Sequence, residues 1–324
     1  MRRAAIAVLL PLAACEAEPE PSLCAWTDHE HNPLIEPPGE EYLVGDPAVL
    51  LPAESPDGRW HLFANSLLGI HRWTSDDGVD WALTEEQVVG AGAWRPFVLL
   101  DGGTYHLFYE KFLDFTRSEI RARTSPDLGT WSEPVTVLQP ELDWEQETNA
   151  TIGNPFVIER EGEYWLYYSA TGSFLEDTGF YEPRYIGLAR ASEPLGPYTR
   201  EPEPLLGPDA ADPWRNHGAG SMKLFDETVD GRLVAFNNGI YEADGTTGSA
   251  IRVLESDNGL QWETVCDGQP ILAPTGLGWK AAFVYAFDSV RWEDEVRLYF
   301  NARDGWEVGT ERIGMASAHW PPAD

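Results

Sequence analysis

Gly45-Asp46-Pro47-Ala48-Val49-Leu50 places one carboxylate at the head of a short apolar run, held between a glycine and a proline. The residue before a proline is steered to extended backbone, so Asp46 is expected to point its carboxylate in one fixed direction, ready to act as a base or nucleophile. Two other runs begin in the same way with different chemistry, Arg95-Pro96-Phe97-Val98-Leu99-Leu100 and Asn154-Pro155-Phe156-Val157-Ile158. A guanidinium at Arg95 can clamp hydroxyls or a carboxylate, and the indole of Trp94 beside it offers a flat face to a ring. Looser echoes start at Gly220-Ser221-Met222 and at Asp288-Ser289-Val290, so Asp288 is expected to head the last of them.

These heads can work together only if the fold gathers them. Each run is followed by a turn, then by an aromatic strand such as Trp60-His61-Leu62-Phe63 or Tyr164-Trp165-Leu166-Tyr167, then by an Ile-to-Ser strand such as Ile70 to Ser75. A fourth apolar piece precedes Pro or Gly in the first four units, and the fifth unit, ending near Trp320, lacks one. The unit recurs at about fifty to seventy residues, a period that signals a propeller or array. Asn32-Pro33-Leu34-Ile35-Glu36-Pro37 has the character of the missing piece, so the N-terminal strand is expected to complete the last blade. The expectation is therefore an all-β, five-bladed β-propeller of four-stranded blades, its ring closed by the N-terminal strand so that open sheet edges disappear.

Three turns, Ser75-Asp76-Asp77-Gly78-Val79-Asp80-Trp81, Ser125 to Trp131 and Ser256 to Trp262, resemble the Asp-box of sialidases. Their Ser and Asp side chains suit local backbone bonding, and the tryptophan is expected to pack each hairpin on its own blade, at the rim.

Composition narrows the partners. The chain has 324 residues and a formal net charge of -32, which repels nucleic acid and anionic membranes but leaves a neutral sugar unaffected. Residues 1–14 read as a signal peptide, and Leu12-Ala13-Ala14-Cys15 resembles the lipobox of bacterial lipoproteins, with Cys15 carrying the lipid. Residues 15–30 are then expected to be a lipid-anchored flexible tether and 31–324 a single propeller domain, exported to the bacterial cell envelope and monomeric. The membrane is a partner only through that anchor. Cys24 and Cys266 are left as a pair that an oxidising compartment would allow to bridge, or as two separate thiols.

The whole pattern resembles the five-bladed superfamily that includes glycoside hydrolase family 43 and related arabinanases, xylosidases, fructosidases and β-mannoside phosphorylases. In family 43 a first-blade Asp before Pro is the general base, a third-blade Asp tunes the acid, and a Glu heading the fourth blade is the general acid. Asp46 matches the first position, Asn154 stands at the second, and no Glu lies near Gly220. Hydrolysis requires a second carboxyl group. Glu110 before Lys111, Asp212 before Pro213, and Asp288 are the candidates, with Glu147 further back.

His217, in a Gly-rich bend, is assigned to substrate contact, with packing and support of a central cation as alternatives. The segments Asp143 to Gly153, Ser173 to Arg184 and Glu242 to Gly248 interrupt the repeat and are expected to wall a pocket, with Trp144, Phe180, Tyr181 and Tyr241 as sugar platforms. No cofactor and no protein metal site is expected, a central Ca2+ being an option that the resemblance alone supplies. A glycoside hydrolase acting on a glycan is the leading reading. A catalytically silent carbohydrate-binding propeller is the alternative. A glycan phosphorylase ranks lower, because only Arg95, Lys111, Arg215 and His217 are at hand to hold phosphate.

Overall fold

The computed structural model describes residues 22–229 and 231–320. The expected signal peptide and Cys15 lie outside the described residues.

Five antiparallel four-stranded sheets form the ring. Blade 1 runs through Gly45–Leu50, Trp60–Ser66, Gly69–Ser75 and Ala82–Gly90, and blade 2 through Ala93–Asp101, Thr104–Asp114, Arg117–Ser125 and Val135–Leu138. Blade 3 comprises Ile152–Arg160, Glu163–Leu175, Phe180–Ala191 and Thr199–Arg200, and blade 4 Met222–Val229, Arg232–Ala243, Thr246–Ser256 and Glu263–Thr264. Blade 5 takes Phe283–Trp292, Glu295–Arg303 and Glu311–His319 from the C-terminal part of the chain, and its outer strand from the N-terminal part. Thr27 and Asp28 pair with Ser317 and Ala316, and Ile35 bridges Ile313. Closure therefore uses Ile35, as its sequence context predicts, and begins earlier, at Thr27. The domain boundary expected at residue 31 is correspondingly late. Trp26 packs edge-on against Phe236, and Cys24 is bridged to Cys266, so residues from Cys24 onward are part of the packed ring rather than a tether.

Blades stick together through their aromatic second strands. Phe63, Phe108, Tyr167, Phe236 and Phe300 are all fully or almost fully buried. The three Asp-box-like turns add a second set of contacts. Ser75 Oγ accepts from Gly78 N at 3.0 Å, and Asp77 Oδ1 accepts from Val79 N and Asp80 N at 2.8 and 2.9 Å. The Asp bonds recur at Asp127, and the full set recurs at Ser256 with Asn258 in place of Asp. The tryptophans do not pack on their own blades. Trp81 meets Tyr299 of blade 5, Trp131 meets Phe63 of blade 1, and Trp262 meets Tyr167 of blade 3, with ring centroids 5.8, 6.3 and 6.4 Å apart. Each turn thus staples its blade to the preceding one.

Pairing with the second strand gives the true equivalence of the inner strands: Ala48, Phe97, Phe156, Lys223 and Asp288 face Phe63, Phe108, Tyr167, Phe236 and Tyr299. Two residues before them stand Asp46, Arg95, Asn154, Ser221 and Ala286. Asp288 is therefore not a strand head but one pleat further in. There its carboxylate lies 3.2 Å from Lys223 Nζ and accepts from Val49 N at 2.7 Å, while Lys223 also donates to Pro47 O at 3.1 Å and lies over the Phe97 ring. Phe97 in turn packs on Phe156 at 4.9 Å. Side chains from four blades fill the channel at this level.

Candidate active site

The heads of all five inner strands, Asp46, Arg95, Asn154, Ser221 and Ala286, line one cavity of about 780 Å3, counting the open space at its mouth. Its geometry starts from three β-bulges. The pairing registers slip between Gly45 and Ala48, between Trp94 and Phe97, and between Gly153 and Phe156, so each Xaa-Pro pair is the inserted element. The backbone there is not extended. Asp46, Arg95 and Asn154 have φ of 55, 54 and 48°, the left-handed region, which a side chain and a following proline both disfavour. Bulges of this kind re-aim a side chain, and strain at such positions must be held by neighbours.

The holders are asparagines on second strands. Asn301 Oδ1 accepts from Asp46 N at 3.1 Å, Asn65 Oδ1 from Arg95 N at 2.6 Å, and Asn238 Oδ1 from Ser221 N at 2.6 Å. Asn65 and Asn301 belong to the blades preceding those they hold, so two of the three strained heads, Asp46 and Arg95, are fixed across blade boundaries.

Arg95 sits between two carboxylates. Its Nε is 4.0 Å from Asp46 Oδ1, and its Nη1 donates to Glu110 Oε2. Glu110 is wholly buried, and Gly153 is close enough that a methyl group there would stand 2.1 Å from Glu110 Oε2. Glu110 is thus a counter-ion beneath Arg95, out of the cavity, rather than an acid facing it.

Two carboxyls that sequence reasoning did not single out do line the cavity, Glu182 and Glu311. Burial pushes Glu182 up to about 7, Arg95 pulling it down and the charge of Asp46 adding to the rise. Burial pushes Glu311 up to about 8 against the pull of Arg303, whose Nη1 is 3.5 Å from Glu311 Oε1. Asp46 is also raised by burial, while Arg95, the nearby side chain of Asn65 and Lys223 favour its charged form. Three carboxyls in one partly enclosed space cannot all ionise easily, so the site stores protons near neutrality.

The other sequence candidates divide. Trp94 and Asn154 line the cavity, as do Phe180 and Tyr181 from the segment expected to form a wall. Asp212 does not. Its Oδ2 is 2.5 Å from Arg252 Nη1 and 3.3 Å from Arg215 Nε, and its Oδ1 caps Trp214 N at 3.0 Å. Burial raises its pKa, but Arg252 outweighs that and the carboxyl lies below its ordinary range. Lys111 donates to Ala91 O at 2.8 Å, and the Nε2 of His217 lies 3.2 Å from Phe174 O. Trp144 stacks on Tyr168 and donates to Pro202 O at 3.1 Å, which makes it a packing residue of blade 3. Tyr241 packs on Trp214, and Glu147 is taken by Tyr185 and Arg184. None of these lines the cavity. Among the described residues no group of three or more His, Cys, Asp or Glu is placed to hold a metal ion.

Residues 86–241 match the model of glycosyl hydrolases family 43, a stretch that omits Asp46 and all of blade 1 except the end of its fourth strand. The match spans just under half of the chain, so over that stretch the propeller is similar to that family. None of the curated protein sequences matches it. Among solved structures it is similar to an α-L-arabinofuranosidase from Podospora anserina in complex with cellotriose, at 16% identity and a TM-score of 0.66, over 92% of this chain and 97% of that one. It is also similar to a hydrolase of the family 130 of mannoside phosphorylases that targets β-1,2 mannosidic linkages in Candida mannan, at 14% identity and 0.65, over 92% and 95%. An N-acetylgalactosamine deacetylase from F. plautii, solved with blood group B trisaccharide, aligns at 14% identity and 0.62, over 88% and 95%. At these identities the likeness speaks for the propeller fold alone.

Proposed function

We propose that this propeller hydrolyses a glycosidic bond at the cavity where the five inner strands meet, with Asp46 as the base that activates water. The observation that carries the proposal is the coexistence, in one cavity, of an Asp beside a guanidinium at 4.0 Å and of carboxyls that keep their protons to about 7 and about 8. Hydrolysis needs both forms at once, one group to take a proton from water and one to give a proton to the leaving oxygen. Arg95 favours the ionised form at Asp46, and the hydrogen bond from Asp46 N to Asn301 fixes its backbone. Trp94, Phe180 and Tyr181 offer flat faces for a sugar ring in the same space. A chain exported to the cell envelope, anchored through a lipid on Cys15 and acting as a monomer without a cofactor, agrees with this reading.

The test is reducing-sugar release from a panel of glycans by the wild-type chain and by Asp46→Asn. Turnover that disappears in the variant, with sugar binding retained, is expected. Undiminished turnover would remove Asp46 from the mechanism. A second reading is favoured by Asn154 and Ser221, which stand where related enzymes carry acids: a propeller that binds sugar and turns nothing over. Saturable sugar binding without turnover on any member of the panel would establish it.

A further inference from the structure

If the hydrolase reading holds, the proton donor cannot come from the usual places. The heads of blades 3, 4 and 5 are Asn154, Ser221 and Ala286, and no proton acid stands among them. We propose that Glu182, on the third strand of blade 3, is the general acid of this site.

The choice lies between two cavity carboxyls, and their surroundings differ. Both oxygens of Glu311 are engaged: Oε1 is 3.5 Å from Arg303 Nη1, and Oε2 accepts from Asn301 Nδ2 at 3.2 Å. Glu311 is also buried, at 9% exposure, whereas Glu182 is partly open to the cavity. Among the described residues the carboxyl of Glu182 has no hydrogen bond and no ion pair within 4.0 Å, so its proton is free to be given to a ligand. Its position is nevertheless firm. It pairs with Ser173 in the hairpin that carries blade 3 out past the inner-strand heads. On one side Tyr181 packs on Phe174 at 5.0 Å, and the Phe180 ring lies 5.0 Å from the guanidinium of Arg303. The same Arg303 pairs with Glu311, so Glu311 positions the hairpin flank rather than the proton.

The chemistry balances without a further reactant. Water attacks the anomeric carbon and loses a proton to Asp46 as the new C–O bond forms. The glycosidic C–O bond breaks, and the leaving oxygen takes the proton of Glu182. Solvent then returns a proton to Glu182 and removes the one on Asp46. Burial and the neighbouring charge of Asp46, which hold Glu182 protonated to about 7, fit a donor at neutral pH.

The experiment compares two substrates of one glycone, a disaccharide whose leaving oxygen needs a proton and a dinitrophenyl glycoside whose leaving group does not. Glu182→Gln is expected to lower kcat/KM on the disaccharide by about 10²- to 10⁴-fold and to leave the dinitrophenyl glycoside nearly unchanged. The alkaline limb of the pH profile should vanish with it. Glu311→Gln should not show the dependence on leaving group. Equal losses on both substrates, no loss on the disaccharide, or the leaving-group pattern appearing in Glu311→Gln would each overturn the assignment. A wild-type chain that cleaves neither substrate with any glycone fails the hydrolase reading itself. Wild-type turnover with an unimpaired Glu182→Gln fails only the assignment of the donor.

Discussion

A carboxyl that keeps its proton at neutral pH makes the fold sensitive to alkali. Glu311 titrates near 8 in the folded chain because burial opposes its charge, against 4.5 for an ordinary Glu. Its contribution to stability is complete below the unfolded value and is lost as pH rises through the folded one; Glu182 behaves likewise through about 7. The melting temperature should therefore fall between about pH 5 and about pH 9, and Glu311→Gln should flatten that fall. Thermal unfolding across that range checks it, and an unchanged slope in the variant would sink the idea. Under the proposed mechanism the same residues would set the rate. Activity that needs Glu182 protonated and Asp46 ionised should decline through an alkaline limb near 7 and an acid limb above 3.8, the ordinary value from which burial raises Asp46.

Residues of this kind differ in how far sequence discloses them. Asp46, Arg95 and Asn154 are legible because each precedes a proline at the head of an apolar run. Glu182, Glu311 and Arg303 are not. They sit on later strands and hairpins, where an isolated polar residue looks like any solvent-facing one until the ring is closed. Glu110 shows the converse error: it ends an aromatic strand and reads as available, yet the fold buries it under Arg95.

At the scale of the element, the strained bulges are what distinguish a site from an ordinary blade. Their left-handed backbone was not legible either, since a residue before proline is normally extended. What supports them is the asparagine of a neighbouring strand, and Asn65→Ala would leave the amide of Arg95 without its acceptor. A loss of about 1–3 kcal/mol is expected, because a buried donor is orphaned. Denaturant unfolding measures it, and a variant as stable as wild type would show that the bulge holds itself. Gly153→Ala tests the floor of the site. The added methyl would meet Glu110 at 2.1 Å, which must shift from Arg95, so stability should fall by about 1–3 kcal/mol and kcat/KM with it. The misplaced head at Asp288 belongs to this scale too. Its Asp-Ser-Val run imitates the motif by composition, but the pairing of Asp288 with Tyr299 makes Ala286 the head.

For the whole molecule, five repeats and an N-terminal closing piece were readable from periodicity alone, because each blade repeats one hydrophobic pattern. The links between blades were only partly so: the sequence left the Cys24–Cys266 pairing as one of two options, and the tryptophan staples were misplaced. The bridge from Cys24 to Cys266 spans 242 residues and ties the closing segment to the end of blade 4. Replacing both cysteines by serine should cost about 2–4 kcal/mol, read as a lower midpoint in denaturant. The ion pair at the axis should be less forgiving. Lys223→Met strands a buried Asp288 carboxylate and should cost about 3–5 kcal/mol, whereas Lys223→Met with Asp288→Leu should recover most of that. A double variant no better than the single one would show that Asp288 depends on Val49 N rather than on Lys223.

That axial pair has a consequence for traffic. With Lys223, Asp288, Phe97 and Phe156 meeting across the ring, the chamber has a floor, and everything that enters must leave by the same doorway. If a sugar is cleaved there as proposed, both halves would have to leave through that one opening before the next arrival.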